Sequence, residues 1–108
     1  MPRNKKCRMV SGLPSNTEFH AQCQRDDMNS VILTIEEYEV IKLIDYKGLT
    51  QEECALNMEV ARTTVQQIYS DARKKIATSM VEGRNLVIKG GCYKLFDSCK
   101  RNRCRNGN

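Results

Sequence analysis

Residues 33–80 read LTIEEYEVIKLIDYKGLTQEECALNMEVARTTVQQIYSDARKKIATSM, and this stretch decides the fold of the 108-residue chain. Its apolar residues recur at the three- and four-residue spacing that is typical of amphipathic helices, which predicts three consecutive helices. The second of them covers roughly residues 51–58, so only residues 59–61 remain for the turn before the third. A connection this short forces the two helices to cross steeply, as in a helix-turn-helix motif. We therefore predict a mainly α fold.

Two capping boxes mark the starts of the first two helices. Thr34 is followed three residues later by Glu37, and Thr50 is followed in the same way by Glu53. In such a pair the threonine hydroxyl accepts from a backbone amide while the glutamate reaches back to the cap residue. Gly48 is expected to close the first helix, because glycine adopts the left-handed conformation at a helix end at little cost.

The third helix has two faces of opposite character. Helical spacing predicts a buried stripe made of Val65, Ile68, Tyr69, Ala72, Ile76 and Met80, as it does for Cys54, Ala55 and Met58 in the second helix. The other face is polar and cationic. Such a face can bind DNA. We then expect base edges or the DNA groove to be contacted by Arg62, Thr63, Thr64, Gln66 and Gln67. We expect the DNA backbone to be contacted by Ser70, Arg73, Lys74 and also Lys75.

The residue types on this polar face suit the major groove of DNA. Glutamine can pair bidentately with adenine and arginine with guanine, and threonine or serine can serve either a base or a phosphate. The N-terminal part of a recognition helix usually meets the bases. An ordinary amphipathic helix with a solvated polar face is the alternative. The two capped helices that precede it favour recognition of double-stranded DNA.

The helical stretch resembles the helix-turn-helix of the fourth region of bacterial sigma factors. There an LT-x-x-E-x-x-V/I opening precedes a G-L-T/S-x-x-E-x-A helix. The matching residues here are Leu33, Thr34, Glu37 and Ile41, followed by Gly48, Leu49, Thr50, Glu53 and Ala55. The resemblance implies DNA binding and is compatible with a protein partner in the transcription machinery.

Over about residues 1–95 the chain is also similar to a small family of poorly characterised prokaryotic proteins that are predicted to bind DNA. The shared motifs are Met1-Pro2-Arg3, Cys7-Arg8, a helix with Arg62 and Thr64 that ends in Ala72-Arg73-Lys74-Lys75, and the closing Ile88-Lys89-Gly90-Gly91-Cys92-Tyr93. This chain has Glu59 where the family usually has a turn glycine, and Ala61 where it has a serine cap. Each departure costs on the order of 1 kcal/mol.

The length of the chain suits one small domain with one core. We divide it into a basic N-terminal arm, short strand and loop (residues 1–30), a helix-turn-helix domain (31–83), a short strand and turn (84–95) and a basic, cysteine-containing tail (96–108). No run approaches the roughly 20 apolar residues of a membrane span, and the basic N-terminus lacks the apolar segment of a signal peptide. We therefore expect a cytoplasmic protein without a membrane partner.

Positive charge is concentrated at the two ends of the chain. The formal net charge is +5, and residues 1–8 hold four cations, Arg3, Lys5, Lys6 and Arg8, without an acid. Residues 94–108 carry a net +4, which leaves −3 for the rest. Basic ends beside a nearly neutral domain suit contact with phosphates. The alternative is that both ends are frayed and only add solubility.

Short flanking strands are predicted outside the helices. Residues 7–10 and 86–88 are apolar-leaning segments bounded by charged or turn residues, and they could pair with each other to join the N- and C-terminal segments. A two-stranded ribbon would need packing against the helices or a second chain. The segment from residue 11 to residue 30 contains glycine, proline and several amides, so we expect an irregular loop.

The six cysteines are compatible with a metal site but do not by themselves indicate one. Cys54 falls on the inner face of the second helix and is expected to be a small buried apolar residue. If the chain ends meet, a zinc site becomes possible from His20, Cys23, Cys99 and Cys104, with Cys7 or Cys92 as substitutes. An iron–sulfur cluster is a further option. Because no paired C-x-x-C pattern is present, free thiols are favoured and no cofactor is predicted.

These observations together predict sequence-specific binding of double-stranded DNA and regulation of transcription. Catalysis is not expected, since His20 is the one histidine and no glycine-rich phosphate loop is present. A protein-interaction module, or a metal- or redox-responsive adaptor without specific DNA readout, is the competing class. RNA binding by the arms is a weaker option. We expect a homodimer, because one recognition helix reads only a few base pairs and two-fold pairing extends the site.

Overall fold

The computed structural model describes residues 8–22 and 29–95. Within them it confirms a three-helix unit flanked by short strands. The helices are α1 (Ile35–Val40), α2 (Gln51–Met58) and α3 (Arg62–Glu82). The strands are β1 (Arg8–Val10), β2 (Glu18–Phe19), β3 (Val31–Leu33), β4 (Leu86–Ile88) and β5 (Tyr93–Leu95).

Both capping boxes form as the sequence predicts. At the start of α1 the Thr34 hydroxyl accepts from the Glu37 amide at 3.2 Å, and the Glu37 carboxylate accepts from the Thr34 amide at 2.9 Å. The same two bonds join Thr50 and Glu53 at the start of α2, at 3.1 and 2.9 Å. The cap residues satisfy amides that a helix leaves without partners, which is why both helices begin here.

The end of the first helix differs from the regular geometry that was predicted. After Val40 the chain widens into a π-helical segment, Ile41–Tyr46, in which the Lys47 amide reaches back five residues to the Lys42 carbonyl at 2.9 Å. Gly48 follows with φ of +82°, so glycine does close the helix as expected. A π segment is rare and is often found at functional sites. It has no simple sequence pattern by which to predict it.

The core lies where the three helices meet. Val40, Met58 and Val65 are completely buried, and α2 buries Cys54 and Ala55 as predicted. The predicted stripe of α3 holds only in its first part: Val65, Ile68 and Ala72 are buried, and Tyr69 and Ile76 are half-buried. The prediction was wrong for Met80, which is 73% exposed. Val81 beside it is 83% exposed, so the last turn of the 21-residue α3 does not contribute these side chains to the core.

The strands join the two ends of the described chain, but not through the pair that was predicted. β1 pairs in parallel with β5, with Arg8 opposite Tyr93. The predicted partner of β1, the segment 86–88, is instead the central strand β4, with β2 antiparallel on one side and β3 parallel on the other. The expected irregular loop also contains β2. β1 packs against α1 and α2, which supplies the support that so short a strand pair needs.

Three glutamates of α1 are buried, and two of them hold the strands in place. Glu36 accepts from the Arg8 guanidinium at 3.3 Å and from the Cys92 amide at 2.9 Å. Glu39, which is 2% exposed, accepts from the amide and the hydroxyl of Ser11 at 3.1 and 2.9 Å. Glu36 also lies in the first turn of α1, where a negative charge favours the helix N-terminus. In the structure α1 fixes the segments at both ends of the described chain.

Candidate nucleic-acid interface

The turn between α2 and α3 covers residues 59–61, as predicted. Glu59 adopts the left-handed conformation, with φ of 58° and ψ of 46°. Ala61 is the cap residue of α3, with extended backbone and no side-chain hydrogen bond. The turn is therefore closed by two residues that suit their positions poorly, because glycine favours the first and serine the second.

Replacing Glu59 with glycine should raise the free energy of unfolding by about 1 kcal/mol, because it removes the strain of a left-handed side chain. Ala61→Ser should add roughly 0.5–2 kcal/mol by supplying the missing cap. Urea denaturation measures both changes. Glu52→Gly, at an exposed helical position of α2, is the control and should lower stability by up to about 1 kcal/mol. A loss of stability in Glu59→Gly would contradict the backbone geometry of the turn.

The polar face of α3 is exposed along most of its predicted length. Seven of the predicted contact residues lie on it with exposed side chains, namely Arg62, Thr63, Gln66, Gln67, Ser70, Arg73 and Lys74. Thr64 is half-buried and faces the turn, so it is less accessible. Lys75 is half-buried and pairs with Glu37 at 2.8 Å, which separates it from the exposed set.

Several side chains on this face have no partner in the part of the chain that the structure describes. Among the described residues, no hydrogen bond or ion pair involves the side chains of Thr63, Gln66, Ser70 and Lys74. Two neighbours are held more firmly: Gln67 donates to Asp71 at 3.1 Å, and Arg62 donates to Gln51 at 3.4 Å. The face therefore presents uncommitted donors and acceptors, flanked by side chains with defined orientations.

Arg73 belongs to a small cluster that joins α3 to the π segment. The Tyr69 hydroxyl donates to Asp45 at 2.7 Å, and Arg73 donates to the Tyr69 oxygen at 3.0 Å. The Arg73 guanidinium also lies over the Tyr69 ring, 5.2 Å from its centre. The hydrogen bond to Asp45 raises the pKa of Tyr69, so the hydroxyl keeps its proton. Sequence reasoning missed Asp45, because a contact across 24 residues leaves no local pattern.

A hollow of about 620 Å³ lies beside the turn. Its walls are Arg8, Ala55, Leu56, Glu59, Val60, Ala61 and Thr64. Arg8, where the described part of the N-terminal segment begins, is thus brought next to the start of α3. The other cations of the predicted N-terminal arm, Arg3, Lys5 and Lys6, lie outside the described residues.

Of the four ligands predicted for a zinc site, one lies within the described residues. His20 is exposed and contacts Glu18 at 3.0 Å, whereas Cys23, Cys99, Cys104 and the substitute Cys7 lie outside the described residues. Over residues 8–22 and 29–95 there is no group of three or more histidine, cysteine or acidic side chains that could hold a metal ion.

Cys54 is buried, as predicted, with its sulfur 3.8 Å from that of Met58. Burial, together with the charge of Glu39, raises the pKa of the Cys54 thiol to about 11. Because the thiolate is the reactive form of cysteine, this side chain contributes packing rather than chemistry.

None of the helices in the described part of the chain combines the length and the apolar character that crossing a bilayer requires.

Comparison with known proteins relates nearly the whole chain to one family. The family model described as "Protein of unknown function DUF134" matches residues 1–96. A UPF0251 protein of Desulfitobacterium hafniense strain Y51 is 53% identical over 98 residues, which cover 90% of this chain and 78% of that relative. A UPF0251 protein of Thermoanaerobacter pseudethanolicus is 42% identical over 102 residues, covering 94% and 86%. No solved structure matches the chain.

Proposed function

Since the chain belongs to the DUF134 family of proteins of unknown function, we propose a function from its own surface: it binds double-stranded DNA sequence-specifically through α3 and so regulates transcription. The observation that carries the proposal is the exposed polar face of α3, on which Thr63, Gln66, Ser70 and Lys74 have no partner among the described residues. A tight turn sets this helix against α2, as in DNA-binding helix-turn-helix motifs.

The dimensions of α3 suit the major groove. A helix with its side chains is about 10–12 Å across, and the major groove of B-form DNA is about 12 Å wide. The amide of Gln66 offers both a donor and an acceptor, the pair that adenine requires. Lys74 follows eight residues later, about 12 Å further along the helix axis, and so can reach a phosphate while Gln66 reads a base. The helix would thus use its N-terminal part for readout and its middle for the backbone.

The distribution of charge favours α3 as the surface that faces DNA. Residues 62–75 hold four cations against Asp71 alone, and three of the four, Arg62, Arg73 and Lys74, are exposed. The exposed side of α2 and the turn that follows it carry acids, namely Glu52, Glu53 and Glu59. Phosphates would therefore be attracted to one helix of the motif and repelled by the outer side of the other. Such contacts make affinity fall as salt concentration rises.

We propose that the protein acts as a homodimer in the cytoplasm. One recognition helix reads only a few base pairs, and a two-fold dimer can place two copies of α3 about 34–36 Å apart, one turn of the double helix. The bound DNA sequence would then be an inverted repeat. A component of the transcription machinery is a further proposed partner, which rests on the resemblance to sigma factors.

Selection of bound duplexes from a random DNA pool tests the proposal. We expect an enriched motif with two-fold symmetry. Gln66→Ala should cost about 1–3 kcal/mol at particular base pairs, because a bidentate contact is lost, and Arg62→Ala should act in the same selective way. Lys74→Ala is the matched control: it should weaken all duplexes alike and reduce the salt slope by about 1. Uniform loss in Gln66→Ala and selective loss in Lys74→Ala would reverse the proposed roles.

A protein-interaction module is the second candidate function, because Leu56 is 79% exposed beside the hollow at the turn. Exposed apolar residues in a concave surface are typical of protein contacts. If the selection enriches no motif and binding disappears by about 200 mM salt, DNA contact is only nonspecific and this function takes precedence.

A further inference from the structure

We propose that Asp45 is a positioning residue, which acts through Tyr69 to orient the Arg73 guanidinium for contact with a DNA phosphate. The inference rests on the proposed DNA-binding function and deepens it. Asp45 does not lie on the recognition helix. It belongs to the π segment Ile41–Tyr46, which packs beside α3.

The hydrogen bonds of the cluster run in one direction. Tyr69 has a single hydroxyl proton, and it donates this proton to Asp45 at 2.7 Å. The lone pairs of the same oxygen are then left to accept, and Arg73 Nη1 donates to it at 3.0 Å. A carboxylate can only accept, whereas an amide in its place could also donate and would not fix the direction of the bond. Asp45 therefore decides which way Tyr69 presents its lone pairs to Arg73.

The cluster holds the guanidinium without using all of its donors. Arginine has five N–H groups in a planar fork. One on Nη1 contacts Tyr69, and Nε faces the Asp45 carboxylate at 3.9 Å. The Arg73 side chain is 62% exposed, so the remaining Nη donors can face solvent. Two adjacent N–H groups are what a bidentate contact with a phosphate needs.

Arg73 and Lys74 are neighbours on the same polar face, and they differ in how far the fold restricts their side chains. Lys74 has no side-chain partner among the described residues, so it would lose its rotational freedom only on binding. Arg73 has lost part of that freedom on folding, since it is stacked on Tyr69 and bonded to its oxygen. A side chain ordered in advance costs less to bind. Arg73 would therefore be the stronger phosphate contact of the two.

If Asp45 acted only through its charge, its removal would have the opposite effect on DNA affinity from the one that positioning predicts. A negative charge next to a phosphate-binding arginine repels DNA, so its removal should tighten binding. Positioning predicts that its removal weakens binding although the protein gains positive charge. Tyr69→Phe gives the same prediction without any change of charge, because it removes only the bridging hydroxyl.

The test is a double-mutant cycle on binding to the selected duplex at fixed salt. Asp45→Asn and Tyr69→Phe should each raise Kd, by about two- to tenfold for coupled neighbours. Both effects should vanish when Arg73 is alanine. Glu52→Gln, which removes the same charge from α2, is the control and should leave Kd unchanged or lower it. Thermal unfolding by circular dichroism confirms that each variant is folded at the assay temperature.

Three outcomes are informative. Tighter binding by Asp45→Asn would overturn the inference in favour of simple repulsion. An increase in Kd that persists in the Arg73→Ala background would also overturn it, since Asp45 would then act on the fold rather than on Arg73. If the wild-type protein binds no duplex in the same assay, the proposed function itself fails, and the inference fails with it.

Discussion

Gly91→Ala is expected to lower the free energy of unfolding by about 2–4 kcal/mol, because two costs fall on the same residue. Gly91 has φ of +98°, a conformation that residues with side chains rarely adopt. A β-carbon there would also overlap the Glu36 carboxylate and come within 3.0 Å of Thr34. Glu36 cannot simply move, since it is held by the Arg8 guanidinium and the Cys92 amide.

Gly48→Ala is the matched control for this substitution. Its φ of +82° is also positive, but a β-carbon there would have no neighbour within 4 Å. It should therefore show the conformational cost alone, about 1–2 kcal/mol. Urea denaturation of both variants measures the difference. Equal losses would mean that a β-carbon at residue 91 does not in fact clash with the Glu36 carboxylate. In a Glu36→Ala background the Gly91→Ala loss should shrink, because the clashing carboxylate is gone.

Met58→Ala is expected to cost about 2–5 kcal/mol, the range for truncating a large buried side chain. Met58 is completely buried at the end of α2, next to Cys54. It immediately precedes the turn, so the cavity would open between the two helices of the motif. Leu56→Ala is the control on the same helix. Leu56 is 79% exposed, and its truncation should change stability by no more than about 0.5 kcal/mol.

Chemical denaturation followed by circular dichroism measures this pair of variants. If the proposed function is right, Met58→Ala should also bind DNA more weakly where it remains folded, because a cavity at the end of α2 would let α2 and α3 shift relative to each other. Equal losses of stability for the two variants would contradict the orientation of α2.

The helical part of the fold could be predicted because its signals are local. Both capping boxes, the glycine that ends the first helix and the turn at residues 59–61 each depend on a few neighbouring residues. The buried stripe of α3 was predicted correctly at Val65, Ile68 and Ala72 for the same reason. It failed at Met80, since periodicity shows which side of a helix is apolar but not how far the core extends.

The strands and the Arg73 cluster could not be predicted in the same way. Strands of two or three residues are too short for alternation to show, so β2 went unrecognised and β4 was given the wrong partner. The bond between Tyr69 and Asp45 depends on how α3 packs against the π segment. Of the candidate interface, the exposure of the polar face was foreseen, and the DNA contacts themselves remain predictions.

The pairing of β1 with β5 has a consequence for how the protein is made. Synthesis on the ribosome releases residues 8–10 early and residues 93–95 late, yet these two segments form adjacent strands. β1 therefore has no strand partner while the helices that follow it in the sequence are synthesised and fold. Contacts so distant in sequence form slowly, because a long loop must close first. We expect the nascent chain to acquire its three helices before this sheet, and Arg8 to reach its final place beside α3 only when translation of the domain is nearly complete.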